Sequence, residues 1–339
     1  MTNKIIQWYN INKRDLPWRK SKEPYKIWVS EIILQQTQIK KGESYYIKFI
    51  TTFPNIKTLS ESNDTEILKL WQGLGYYNRA LNMLETARNI VQNYKGIFPK
   101  KYNDLIKLKG VGEYTAAAIS SICTNESKAV VDGNVYRVLS RVFNISEPIN
   151  SSAGKNKIKT IANKLLPPIN SGTYNQAIMD FGSMQCTKHN PNCKICPINN
   201  NCIAYIDNII NTRPVKTRKI KKKHRYLNYL FISNNNQFII QQRGTNDIWK
   251  KMYELPLIES NSAITIDKLK ADKYLKKFII NEVKKERNMK HLLSHQCLNI
   301  VFWHISVKNL NSNHKIISKK DISKYPIPKP IERYFEIKD

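Results

Sequence analysis

Hydrophobic and polar positions between Leu105 and Arg141 fall into two helical stripes separated by glycines. Leu105, Ile106 and Leu108 form an amphipathic run, Gly110-Val111-Gly112 interrupts it, and Ala116 to Ile122 resume with good helix formers, which predicts a tight hairpin between two helices. Glycine lets a backbone come close to a neighbour, and the amides that open the second helix suit a phosphate oxygen. Val135, Val138, Leu139 and Val142 make the next stripe, with Asp132-Gly133-Asn134 ahead of it, so Asp132 is a candidate N-cap.

The same periodicity extends along the first two thirds of the chain. Ile5, Ile6, Trp8 and Tyr9 predict a short helix within residues 4–19, ended by Pro17 and followed by a basic, aromatic loop containing Arg19. Trp28 to Ile50 reads as helix in two pieces broken at Gly42, with Glu31 at its beginning and Gln35, Gln36 and Gln38 forming a polar face. Residues 64–92 predict two helices joined at Gly73-Leu74-Gly75-Tyr76-Tyr77, where an exposed tyrosine can wedge between bases. Further helices are expected at 155–166 and 172–184. Beyond residue 225 the pattern changes. Tyr226 to Ser233 and Gln237 to Arg243 predict a hairpin, and Asn299 to Val307 another strand, with helical segments near 267–286 and 330–337. The expectation is a mainly α first domain and an α+β second one.

Composition adds a partner. The 339 residues carry a formal net charge of +30, spread as +13 over residues 1–207, +7 over 208–224 and +10 over 225–339. Such an excess suits a polyanion, nucleic acid first, although a chain crowded with Lys, Asn and Ile also reflects compositional bias. From Arg213 to Arg225 eight of thirteen residues are basic and none is acidic, which marks a solvated linker able to track a DNA backbone. No apolar run approaches the roughly 20 residues of a membrane span, and the amino terminus lacks the pattern of a signal peptide. The expectation is a cytoplasmic, nucleoid-associated monomer without a membrane partner.

Four of six cysteines crowd into Cys186-x6-Cys193-x2-Cys196-x5-Cys202. In a reducing compartment this spacing favours a metal centre over disulfides. Zinc sites more often show two CxxC pairs, so an iron-sulfur cluster is the better fit and structural zinc its rival.

Taken in order, LPWR (16–19), SEIILQQTQ (30–38), GLGYY (73–77), LKGVGEYTAAAI (108–119), VVDGNVYRVLSR (130–141), NQAIMDFG (175–182) and the four cysteines closely resemble the MutY-type adenine DNA glycosylases of the helix-hairpin-helix, endonuclease III-like superfamily. The resemblance implies a helix-hairpin-helix catalytic domain over 1–207, holding a 4Fe-4S cluster on Cys186, Cys193, Cys196 and Cys202. A basic linker over 208–224 and a Nudix-like domain over 225–339 complete the chain. The implied reaction is removal of adenine mispaired with 8-oxoguanine or guanine in double-stranded DNA. Glu31 matches the family's general acid, Asp132 its stabilising carboxylate, Tyr114 and Asn134 its active-site supports, and Gln36 and Tyr76 its duplex-inserting residues. Arg19 and the Gly110-Val111-Gly112 backbone join the expected DNA contacts.

Cleavage of an N-glycosidic bond needs one protonated and one ionised carboxyl, since the leaving purine takes a proton while positive charge builds on the sugar. Three other readings remain. An endonuclease III-like lyase would place a lysine two residues after the second hairpin glycine, where Tyr114 stands. A thymine-mismatch glycosylase is weaker still, and a catalytically silent redox-sensing protein would not need both acids. In the second domain QQRGTNDIWKKMYELP (241–256) and Leu293-Ser294-His295 resemble the family's lesion-reading module, with Ser294 as the expected reader. Leu293 replaces a phenylalanine there and Lys250 and Lys251 replace glycines, and no Nudix hydrolase signature is present.

Overall fold

The computed structural model describes residues 1–217, 222–310 and 313–336. Part of the basic linker, residues 218–221, therefore lies outside the described residues. Two compact units are present, Met1–Glu61 with Asn82–Arg218, and Ser62–Leu81 with Lys219–Asp339. Residues 62–81 thus pack with the second unit although they interrupt the sequence of the first.

The helices in chain order are α1 (Thr2–Asn12), α2 (Pro24–Leu34), α3 (Ile39–Thr52), α4 (Ile56–Glu61), α5 (Asp64–Trp71), α6 (Asn78–Asn93), α7 (Tyr102–Leu105), α8 (Glu113–Thr124), α9 (Gly133–Val142), α10 (Ser152–Leu165), α11 (Ser171–Met184) and α12 (Ile203–Ile206). In the first unit the predicted stripe of α9, Val135, Val138, Leu139 and Val142, is buried with Tyr174, Ile178 and Phe181 of α11 and with Ile5 and Tyr9 of α1. Two glycines let α11 approach its neighbours. A Cβ at Gly172 would stand 2.3 Å from Ser121 O of α8, and one at Gly182 would stand 2.7 Å from Asn134 Cβ of α9. The helix that carries Asp132 at its head is therefore seated at backbone contact distance, which fixes its register against the core.

Two sequence expectations need correction here. The predicted break at Gly42 falls instead at Gln35–Gln38, because Gln36 adopts a left-handed conformation (φ 59°) between α2 and α3. Gly42 lies inside α3, where its missing side chain makes room for Leu34, 2.7 Å from an ideal Cβ. Glu31 is likewise displaced from the start of a helix to the last turn of α2. Pro24, pre-organised for the first helical position, starts that helix before Trp28.

The second unit holds a seven-stranded mixed sheet. Its strands are β1 (Lys223–Asn234), β2 (Gln237–Gln242), β3 (Tyr253–Glu254), β4 (Leu257–Ser260), β5 (Ile280–Leu292), β6 (Gln296–Val307) and β7 (Lys315–Ser318), in the order β3-β2-β1-β6-β5 with β4 on β1 and β7 on β2. The predicted β1–β2 hairpin is present, pairing Ser233 with Phe238, and β1 runs parallel to β6. Alternation along β1 and β6 gives each sheet face its own core. Leu230, Ile232, Trp303 and Ile305 pack with Leu269, Leu275 and Phe278, while on the opposite face Phe302 stacks at 4.3 Å on Tyr334 of the helix α14 (Lys329–Glu336), which follows the short helix α13 (Ile266–Lys270).

The helix expected near 267–286 is mostly absent. Only α13 and the turn Leu275–Lys277 are helical, and Ile280–Leu292 forms β5, paired antiparallel with β6 across its length. Lysines and glutamates in KKER favour a helix in isolation, but pairing with a long neighbouring strand outweighs that weak local preference. Among the described residues, no helix is long and apolar enough to cross a membrane.

Candidate active site

A cavity of about 520 Å³ in the first unit collects residues from the α1–α2 loop, α2, the α2–α3 turn, α8, α9 and α11. Glu31, Tyr114, Asp132, Asn134, Arg19 and Gln36, six of the residues singled out in the sequence, all line it. Their convergence is a property of the fold, since 101 positions of sequence separate Glu31 from Asp132.

Glu31 is 9% exposed. Its pKa is pushed up to about 7, first by burial; a hydrogen bond with Tyr114 acts against this, the nearby Asp132 charge adds to it and Arg19 opposes it. The last turn of a helix, where carbonyl dipoles point, disfavours a carboxylate further. Near neutral pH Glu31 is thus divided between its acid and base forms, the condition for delivering a proton.

Asp132 differs in its hydrogen-bond partners. As N-cap of α9, its Oδ1 accepts the N–H groups of Asn134 (2.9 Å) and Val135 (2.8 Å), and its Oδ2 accepts Asn134 Nδ2 (2.8 Å). Burial raises its pKa above the ordinary aspartate value, while the Val135 and Asn134 donors and the Arg137 charge pull it down. Three N–H donors aimed at two oxygens favour the carboxylate and oppose the upward push of burial. The N-cap expectation is met, by the same carboxylate that the catalytic expectation names.

Asn134 is fixed in turn, because its Oδ1 accepts Arg137 Nη2 at 2.9 Å and so directs its amide nitrogen at Asp132. Arg137 also donates to the Cys186 carbonyl at 2.8 Å and to the Gly182 carbonyl. Sequence reasoning passed over Arg137, and it passed over a second arrangement in the same cavity. Asp180, fully buried in α11, accepts Arg19 through both oxygens at 2.7 and 2.9 Å and also pairs with Arg14. Burial alone would raise the Asp180 pKa, yet the hydrogen bonds and charges of Arg19 and Arg14 hold it below the usual value. Asp180 therefore anchors Arg19 at the cavity wall. A lone acid inside the apolar stretch of NQAIMDFG was the available signal, since a buried carboxylate requires a partner cation. Gln176 lines the cavity too, its carbonyl accepting the Tyr9 hydroxyl at 2.9 Å.

At the predicted hairpin, Gly110 adopts φ +76° beside Asn82, and Gly112 caps α8. The Val111 N–H is taken by the Leu108 carbonyl at 3.1 Å and its side chain is buried, so the amides opening α8 after Gly112 are the ones left without an intrahelical partner. Gln36 is exposed in the α2–α3 turn. In the second unit Tyr76 is half exposed and, like Gln36, takes a left-handed conformation (φ 50°), which costs a non-glycine residue about 1 kcal/mol and marks both turns as constrained. Ser294 is exposed at the connection between β5 and β6, its hydroxyl 3.2 Å from His295 Nδ1.

The four clustered cysteines are free thiols that line one cavity, walled by apolar side chains that include Val138, Val142, Phe181 and Ile198. Buried Arg141 donates to Cys186 Sγ at 3.4 Å and to the Thr187 carbonyl at 2.7 Å. Among the described residues no group of three or more His, Cys, Asp and Glu side chains is gathered to hold a metal ion. Four thiols lining one cavity are nonetheless the donor type that an iron-sulfur cluster takes.

Comparison with known proteins supplies the context. Residues 29–168 match the HhH-GPD superfamily of base excision DNA repair proteins, and residues 228–336 match the NUDIX domain. An adenine DNA glycosylase of Buchnera aphidicola subsp. Schizaphis graminum (strain Sg) is 36% identical over 345 residues, covering 98% of this chain and 97% of its own. Among solved structures, a thermostable thymine-DNA glycosylase is 29% identical with a TM-score of 0.57, covering 61% of this chain and 95% of its own. A non-covalent endonuclease III–DNA complex superposes with a TM-score of 0.54 at 18% identity, over 61% of this chain and 94% of that one, which extends the likeness in fold.

Proposed function

The chain belongs to the adenine DNA glycosylases of the helix-hairpin-helix base excision repair superfamily, and from that membership we propose that its substrate is adenine mispaired with 8-oxoguanine or guanine in double-stranded DNA. The observation that carries the reading is the pairing, in one cavity, of a buried glutamate whose pKa is pushed to about 7 with an aspartate held by three N–H donors. Glu31 protonates adenine at N7. The C1′–N9 bond then breaks with its electron pair leaving on the base, and the Asp132 carboxylate faces the cationic sugar until water adds at C1′ and loses a proton. Tyr114 and Asn134 hold the two acids, and Arg19 faces the substrate from the Asp180 anchor. Tyr114 offers a hydroxyl in place of an amine, so no Schiff base forms and the enzyme is monofunctional.

Neither acid can reach a base inside the stack, so adenine is flipped out at a cost of a few kcal/mol. Gln36 and Tyr76 offset this by filling the duplex, while the backbone at Gly110 to Gly112 grips a phosphate at the head of α8. Catalytic residues 1–207, the basic linker 208–224 and the lesion-reading residues 225–339 divide the work, and the enzyme acts as a monomer in the cytoplasm, at the nucleoid.

Cys186, Cys193, Cys196 and Cys202 would hold a 4Fe-4S cluster that supplies a structural brace to the segment after α11. Protein purified anaerobically is expected to be brown, with about four irons per chain and broad visible absorption. Stoichiometric zinc without iron in such a preparation would overturn the cluster assignment.

Ser294 reads the lesion. 8-Oxoguanine carries a hydrogen-bond donor at N7 where guanine has an acceptor, and a hydroxyl can accept from that donor. One such contact discriminates by about 1 to 3 kcal/mol, so Ser294→Ala is expected to cut the preference for 8-oxoguanine over guanine by about 5- to 100-fold. Single-turnover excision on duplexes differing in the base opposite adenine measures this directly. Equal losses on both duplexes would reduce Ser294 to a turn residue, and equal wild-type rates opposite every base, thymine included, would remove the mispair reading itself.

A further inference from the structure

We propose that Arg79 is the positioning residue that holds Tyr76 upright as the duplex wedge, an inference that rests on the reading of Tyr76 as an inserting residue. The guanidinium of Arg79 lies between two rings, 5.3 Å from the centroid of Trp71 and 5.4 Å from that of Tyr76. Trp71 is 1% exposed and belongs to the core, whereas Tyr76 is 50% exposed. Arg79 thus ties an exposed aromatic to a buried one. The turn between them is pinned at a single carbonyl, since Gly75 O accepts both Trp71 Nε1 and Arg79 Nη2 at 3.1 Å. Gly73 and Gly75 take φ values of +95° and +80°, which only glycine tolerates easily, and they let the chain fold back so that Tyr76 lands over the guanidinium.

The placement is costly, and the cost points to a role. Arg79 sits at the second position of α6, where the helix dipole disfavours a cation. Burial of the guanidinium pulls its pKa down to about 10, with the Tyr76 hydroxyl acting the other way. An unbranched apolar side chain would fill this space without either penalty. What the guanidinium adds, beside its hydrogen bond to Gly75 O, is attraction to both rings, strongest where water is excluded. With one face of Tyr76 against the guanidinium, the ring is pre-set to offer its other face to a base, so less side-chain freedom is lost when the duplex arrives.

A double-mutant cycle in the full-length protein tests this, using a duplex with adenine opposite 8-oxoguanine and 2-aminopurine beside the mispair to report unstacking. Arg79→Met is expected to weaken binding by about 3- to 30-fold, the range of a desolvated cation–π contact, and to lower the fluorescence rise as Tyr76→Ala does. In the Tyr76→Ala background Arg79→Met should cost nothing more, and Arg79→Lys, which keeps the charge, should recover part of both signals. Equal losses from Arg79→Met with and without Tyr76 would overturn the positioning role and leave Arg79 a packing residue. A Tyr76→Ala protein that binds and unstacks like wild type would instead sink the wedge reading and the proposal with it, and thermal unfolding of each variant separates either result from misfolding.

Discussion

Glu31→Gln is expected to lower single-turnover adenine release by about 10³-fold or more while mispaired-duplex binding stays within a few-fold of wild type, because the change removes the transferable proton and keeps the shape. The same substitution carries a stability signature of opposite sign. Burial raises the folded-state pKa of Glu31 to about 7, above its ordinary value, so the native state holds an extra proton between those two values. Stability from this site is therefore lost as pH rises through that window, and Glu31→Gln should be more stable than wild type at pH 8 by about 1 to 3 kcal/mol, with the gain vanishing well below pH 5. Excision within tenfold of wild type would remove Glu31 from the acid role. A variant less stable at pH 8 would show that the buried carboxyl is satisfied as an anion.

Asp132→Asn should reduce the rate by about 10²- to 10³-fold, since the sugar cation loses its counter-charge. Here the N-cap role has to be separated from the chemistry. Asparagine caps helices as well as aspartate, and its carbonyl can still accept the Asn134 and Val135 amides. Its new amide would face Asn134 Nδ2, setting donor against donor at a cost of about 1 kcal/mol. A loss of that size in unfolding free energy does not explain a thousandfold rate loss in folded enzyme. Reduced stability with a rate within tenfold would leave Asp132 as a cap alone.

Several of these features are legible in the amino-acid sequence. The apolar stripe of α9 located Asp132 at a helix head, and the glycines at 110 and 112 marked a hairpin that the φ of +76° at Gly110 explains. Two apolar runs separated by three asparagines likewise mark the β1–β2 hairpin. What local pattern could not give was pairing over long distance. Nothing near Asp180 in sequence announces Arg14 and Arg19, 166 and 161 residues away, because ion pairs carry no periodicity. Residues 280–286 read as helix for the same reason, their conformation in β5 being set by β6 and not by their own side chains. The apolar pattern puts Glu31 on the right helix but at its start, because Pro24, which begins that helix, lies outside the apolar stripe. Its burial, which gives the carboxyl its acidity near neutral pH, is a tertiary property altogether.

The central claim is that a protonated Glu31 limits adenine release, and the pH dependence of single-turnover excision on an adenine:8-oxoguanine duplex tests it most directly. The rate should hold level on the acid side and fall about tenfold per pH unit above about 7, as the Glu31 proton is lost. A rate that stays constant to pH 9, or climbs with pH, would contradict it.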